Sequence, residues 1–273
     1  MQLDRTRIAI RERSYPDILD LALRVVRTHF APLSATFAMG AAPMLLLNNW
    51  LLGLLDLADV DYEFQAPGWY LFWCGVLIVL EIPLAAVPTT LYLGQVLFHD
   101  EPDSKRAWKD FVRSLPQLIL LQVLVRAAAV LSVFGLFWLY AGRPYLNEII
   151  LLERNPLFTK QKGAMTTWRR ASRVHTSSIG ELFARWMVAL AVGGVWIGMI
   201  WVTIWLLRGI FTSQADFGRS MYTIHLQAAV WAVASFFAVV RFLSYLDLRI
   251  RTEGWEVELM MRAEAARLSR QIV

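Results

Sequence analysis

The sequence predicts an all-α fold: a polytopic membrane helix bundle of about six transmembrane helices, preceded by an amphipathic helix and followed by a cytoplasmic C-terminal helix. Three observations carry this. Apolar residues are 57% of the chain and charged residues 18%, against about 45–50% and about 25% in soluble domains. Apolar stretches at 33–55, 69–98, 115–132, 134–152, 181–209 and 222–246 approach or exceed the roughly 17–25 residues that cross a bilayer as a helix. Between the fourth and fifth stretches stand Arg154, Lys160, Lys162, Arg169, Arg170 and Arg173, with no acid until Glu181. Short loops dense in Lys and Arg stay on the cytoplasmic side, so an even number of crossings precedes this loop if the N-terminus is inside. The whole of 1–273 reads as one membrane domain.

The formal net charge of +5 borders apolar spans, which points to anionic lipid headgroups and away from nucleic acid. The lone cysteine, Cys74, lies in a span, so no intrachain disulfide is expected. Residues 1–14 lack the apolar core of a cleavable signal peptide, and the first span is expected to direct insertion.

Taken in order, Ser14, Pro16 and Asp17 have the spacing of a capped helix start. Ile18, Leu21, Ala22, Val25 and Val26 then recur on one face, with Asp20 and Arg24 opposite. Such a helix lies in the membrane interface or packs beneath the bundle. The span 33–55 holds Gly40, Pro43, Asn48 and Asn49, and leads into an acidic loop of Asp56, Asp59, Asp61 and Glu63. No Lys or Arg occurs from Thr28 to Ser104, so this loop is expected outside. The span 69–98 carries an aromatic anchor of Trp69, Tyr70 and Trp73, and a kink is expected at Pro83 and Pro88, which lack backbone donors.

Residues 99–113 return the chain inside with Lys105, Arg106, Lys109 and Arg113. The next 38 residues, 115–152, are mostly apolar and would form a single helix of about 57 Å, nearly twice the core thickness. Two short antiparallel spans turning near 132–135 fit better, with a re-entrant segment over 145–152 as the alternative. In the basic loop, Lys162, Thr166, Arg169 and Arg173 share a helical face, with Met165 and Trp168 beside it. That pattern predicts a short surface helix touching the inner leaflet through Lys162, Arg169, Arg170 and Arg173. The span 181–209 has four tryptophans and a Gly193-Gly194 pair suited to close helix contact. The last helix is expected to run past 246 into the tail.

Three local patterns stand together: Arg13-Ser14-Tyr15 leading into a span; Ile149-Ile150-Leu151-Leu152-Glu153-Arg154-Asn155-Pro156 followed by Arg169-Arg170-Ala171-Ser172-Arg173; and the tail Tyr245-Leu246-Asp247-Leu248-Arg249-Ile250-Arg251-Thr252-Glu253-Gly254. Together they resemble the six-span membrane domain that accompanies some bacterial glycerophosphodiester phosphodiesterases, and its stand-alone relatives of unknown function. The resemblance implies a bundle closed by a tail signature at Tyr245, Asp247, Arg249, Arg251, Glu253 and Gly254. It implies no phosphodiesterase activity, because the catalytic domain has no counterpart in this chain.

His29, His99, His175 and His225 stand apart from one another and from acids or Cys at ligand spacing, so no metal, cofactor or catalytic residue is expected. No nucleotide-binding, nucleophile-elbow or zinc-protease pattern occurs. Glu81 and Arg126 are the charges deepest in the spans. A lone ionised side chain there costs about 2.5–3.5 kcal/mol, so they are expected to pair. The tail reads either as a functional switch or as a charged collar. The resulting expectation is a non-catalytic protein of the bacterial inner membrane, with both termini cytoplasmic. It would act as a scaffold or subunit of an envelope complex, with a membrane partner or a second copy. The alternative is a small carrier or lipid-handling permease with its site at Glu81 and Arg126.

Overall fold

The computed structural model describes residues 12–54, 68–98, 104–130, 142–158, 165–213, 218 and 220–253, together with 132, 135, 139 and 140. All regular structure among them is helical. Five stretches are long and apolar enough to cross a membrane: Phe30–Gly53, Gly68–Leu97, Trp108–Ala129, Ile179–Thr212 and Met221–Glu253. The fold is an all-α membrane helix bundle with several crossings.

Helix α1 (Tyr15–Thr28) starts where the capping residues predict. Asp17 N–H donates to Ser14 Oγ, and Ser14 N–H donates back to the Asp17 carboxylate. Its apolar face, with Ile18 and Ala22 fully buried, packs on the last helix, while Asp20 and Arg24 pair in solvent at 2.7 Å. Of the two settings open to this helix, the chain takes the packed one.

Helix α2 (Phe30–Leu54) runs antiparallel to α3 (Gly68–Ala85) and α4 (Val87–Phe98). Lipid tails are as apolar as Leu, so helices in a membrane associate through close packing at small residues. Gly40 shows this directly: a Cβ there would lie 2.1 Å from the Ala85 carbonyl oxygen. The break between α3 and α4 falls at Ala86, within the stretch flanked by Pro83 and Pro88, as expected.

Helix α5 (Ser104–Leu118) passes through a π-helical stretch, Ile119–Leu124, into α6 (Val125–Val130). The described part of the expected fourth span, 134–152, is not one long helix. The chain is helical at Gly135, Leu139, Tyr140 and Gly142, breaks over Arg143-Pro144-Tyr145, and resumes as α7 (Leu146–Glu148) with a π-helical end, Ile149–Glu153. Pro144 has no N–H to continue a helix. Tyr145 through Leu151 are all buried, so this segment plugs the bundle and does not face lipid. It ends at Arg154 in the left-handed region, φ 54°.

Helix α8 (Thr167–Thr176) is capped by Thr166 Oγ1 and buries Ala171, Val174 and His175. Helix α9 (Ile179–Thr212) covers the expected span 181–209 and lies at the edge, burying only Leu182, Arg185 and Gly193. Gly193 lets Phe237 of the last helix approach to 3.2 Å from where a Cβ would be, whereas Gly194 faces open space. After the π-helical Met221–Leu226, α10 (Gln227–Glu253) runs through the centre and past 246, as predicted.

Candidate functional site: two ionic clusters and a basic cleft

The tail signature is built on four-residue spacing, which stacks side chains on one helical face. Tyr245, Arg249 and Glu253 form one row, and Asp247 and Arg251 form another. In the first row the Tyr245 hydroxyl donates to Glu153 Oε1 at 2.7 Å, and Arg249 bonds Glu253 at 2.8 Å. Arg170, from α8, donates to Glu153 at 2.5 Å and also pairs with Glu253. In the second row Asp247 takes Arg185 of α9 at 2.7 Å and Arg251 at 2.8 Å. Glu181 binds both Arg185 and Arg251 at 2.7 Å, and the backbone N–H of Arg13 donates to Asp247 at 2.9 Å.

Each row is thus the centre of a neutral cluster of two guanidinium groups and two carboxylates. One joins α10 to the end of the buried plug and to α8; the other joins it to α9 and the chain before α1. Burial disfavours the charge on Arg170, but the bonds to Glu153 and Glu253 outweigh it and raise its pKa. The tail pairs within itself and also clamps four other segments. Gly254 lies outside the described residues.

One correction follows for the expected lipid contacts. Arg170 is spent on Glu153 and Glu253, with a side chain only 14% exposed, so it is not a headgroup contact of the outer surface. Lys162 lies outside the described residues. Arg169 and Arg173 are exposed, as expected. Beside Arg173 opens a cleft of about 690 Å³, lined by Arg170, Arg173, Ser177, Ser178, Arg251 and Glu253. Three cations face one carboxylate there.

The expected Glu81–Arg126 pair is not formed. Glu81 accepts from Asn48 Nδ2 at 2.7 Å, and Arg126 lies over the Tyr140 ring, 4.1 Å from its centroid. Two features account for this. A π-helical stretch precedes Arg126 and shifts its helical register, which a count of regular turns from Ser114 misses. Tyr140 also stands between Arg126 and α3, because its hydroxyl binds the Val79 carbonyl oxygen. Pro83 has no N–H to offer residue 79, four positions earlier, and Tyr140 fills that vacancy. Asn147 Nδ2 donates to the Pro83 carbonyl oxygen at 2.6 Å, at the break between α3 and α4. Within the bundle, another buried carboxylate, Glu148, does reach an arginine, Arg241, at 3.2 Å.

His175, one of the four scattered histidines, has a specific role that its sequence context did not signal. Its Nδ1 lies 2.7 Å from the Ala171 carbonyl oxygen, and Tyr145 N–H points at Nε2 at 3.3 Å. These contacts assign a neutral ring carrying its proton on Nδ1. Burial pushes its pKa down to about 4, with the Arg143 charge acting the same way and the Ala171 bond against. Among the described residues no group of His, Cys, Asp and Glu is placed to hold a metal.

The bundle and its collar define a class, a multi-pass α-helical membrane protein. Compared with family models, curated proteins and solved structures, the chain matches none.

Proposed function

We propose that this chain is a non-catalytic integral membrane protein, a scaffold or subunit of a bacterial envelope complex that docks on anionic lipid at the inner face of the cytoplasmic membrane. Both termini lie on that face in this reading. The carrying observation is the cleft between α8, α9 and α10, where Arg173 projects free above a neutral, ion-paired base and Arg251 and Arg170 line the wall. A headgroup phosphate meets guanidinium donors and the hydroxyls of Ser177 and Ser178, and charge-assisted bonds of this kind are the strong ones. The basic run from Arg154 to Arg173 favours the cytoplasmic side for this surface, with about 1 kcal/mol of attraction per basic residue near an anionic leaflet.

The test is native mass spectrometry of the full chain in neutral detergent with added phosphatidylglycerol or phosphatidylcholine. Phosphatidylglycerol adducts are expected on the wild type, reduced in Arg169→Gln/Arg173→Gln, with few phosphatidylcholine adducts in either. Equal retention of both lipids, or adducts unaffected by the double substitution, overturns the reading.

A further inference from the structure

We propose that the bundle interior holds a second binding site, for an oxyanion, formed by Gln122, Arg126 and Arg241 with Glu148 alongside. It is separate from the cleft and shares no residue with it. Arg126 is 1% exposed, yet its Nε and Nη1 have no hydrogen-bond partner, and Tyr140 offers it a ring face and not a carboxylate. Gln122, four residues earlier, is fully buried with both its amide nitrogen and its oxygen unpaired. Arg241 satisfies Nη2 on Glu148 and on the Pro144 carbonyl but leaves Nε unpaired. Arg126 lies within electrostatic range of both Arg241 and Glu148.

The charges decide the ligand class. Two guanidinium groups, buried Arg126 and half-buried Arg241, stand with one buried carboxylate, Glu148, which leaves one positive charge uncompensated. A stranded buried charge is strongly destabilising, and unpaired buried donors add their own desolvation cost. A cation would worsen the imbalance, and a neutral apolar molecule would leave every donor unpaired. A carboxylate or phosphate presents two oxygens to the forked guanidinium donors, accepts from the Gln122 amide, and neutralises the charge. That group can belong to a soluble solute or to a lipid headgroup drawn between the helices.

The test measures thermal unfolding of the full chain in neutral detergent against three probes: sodium phosphate, sodium acetate, and phosphatidylglycerol in mixed micelles. Wild-type Tm rises with at least one probe. Arg126→Met and Gln122→Leu weaken the fitted Kd at least about tenfold, the loss of a charge-assisted bond. With phosphate and acetate, Arg173→Gln, in the cleft, leaves it unchanged; with phosphatidylglycerol, which the cleft also takes, only the part of the shift lost in Gln122→Leu is assigned to the interior site. A shift with phosphate or acetate assigns a soluble ligand; a shift with phosphatidylglycerol alone assigns a headgroup. The proposal is overturned if no probe shifts Tm, if the shift in Gln122→Leu equals that of the wild type, or if Arg173→Gln abolishes it. Should Arg126→Met fail to fold, Gln122→Leu decides alone, since it strands no charge.

Discussion

Arg185 and Asp247 form an ion pair of 2.7 Å with side chains only 6% and 4% exposed, tying the edge helix α9 to the central helix α10. Asp247 also compensates Arg251 and accepts from the N–H of Arg13. Removing it breaks the buried pair with Arg185 and leaves both guanidinium groups to share Glu181. Asp247→Ala is expected to destabilise by about 3–5 kcal/mol, the cost of breaking a buried pair from one side. Arg185→Met/Asp247→Leu should recover part of that loss. Thermal melting in detergent checks both, and a double variant no better than Asp247→Ala would show that the pair is not the cause.

Tyr140 compensates for Pro83. Tyr140→Phe leaves the partly buried Val79 carbonyl oxygen without its partner and is expected to cost about 1 kcal/mol. Pro83→Ala restores an N–H in helical register with that oxygen, so the two substitutions should couple. The measurement is a double-mutant cycle on Tm. Simple additivity would mean that the hydroxyl does not serve the proline vacancy.

Stability should fall on acidification through His175. Its folded pKa is lowered to about 4 from 6.5, so the unfolded chain binds the proton first. The contribution is complete above pH 6.5 and is lost as pH falls towards 4, by at most about 1.4 kcal/mol per pH unit. His175→Gln should flatten this part of the Tm–pH curve. Parallel curves for wild type and variant between those values would remove His175 from the account.

Gly40 and Gly194 offer a matched pair of substitutions. Gly40→Ala drives a methyl group into the Ala85 carbonyl and must move backbone, whereas Gly194→Ala meets nothing within 4 Å. The first is expected to cost about 1–3 kcal/mol, as overpacking does, and the second to be neutral in folded yield. Equal yields would mean that α2 and the α3–α4 break are less closely apposed.

The orientation proposed above predicts that cysteines placed at Asp59 and at Ser177, in a Cys74→Ser background, label from opposite faces of the membrane. Cys74 is buried and is replaced only to remove background. Labelling from the same face would exclude the expected odd number of crossings between the two positions.

Composition and periodicity by themselves determined the fold class, the start of α1 at its Ser14–Asp17 cap, the break near Pro83 and Pro88, and the extension of the last helix into the tail. These are local properties, set by backbone donors, by the 3.6-residue period and by how many apolar residues a bilayer needs. The tail motif was visible too, because its four-residue spacing is written in the chain. Its partners were not. Glu153, Arg170, Glu181 and Arg185 come from three separate segments, and only the packing of α8 and α9 against α10 brings them to it. The same holds for Glu81 and Arg126. Their burial was legible from their place in apolar runs, but their partners depended on a π-helical shift in register and on Tyr140 filling a vacancy that Pro83 leaves on another helix. Rotation about a helix axis is decided by side-chain packing over the whole bundle, and no count along the chain contains it.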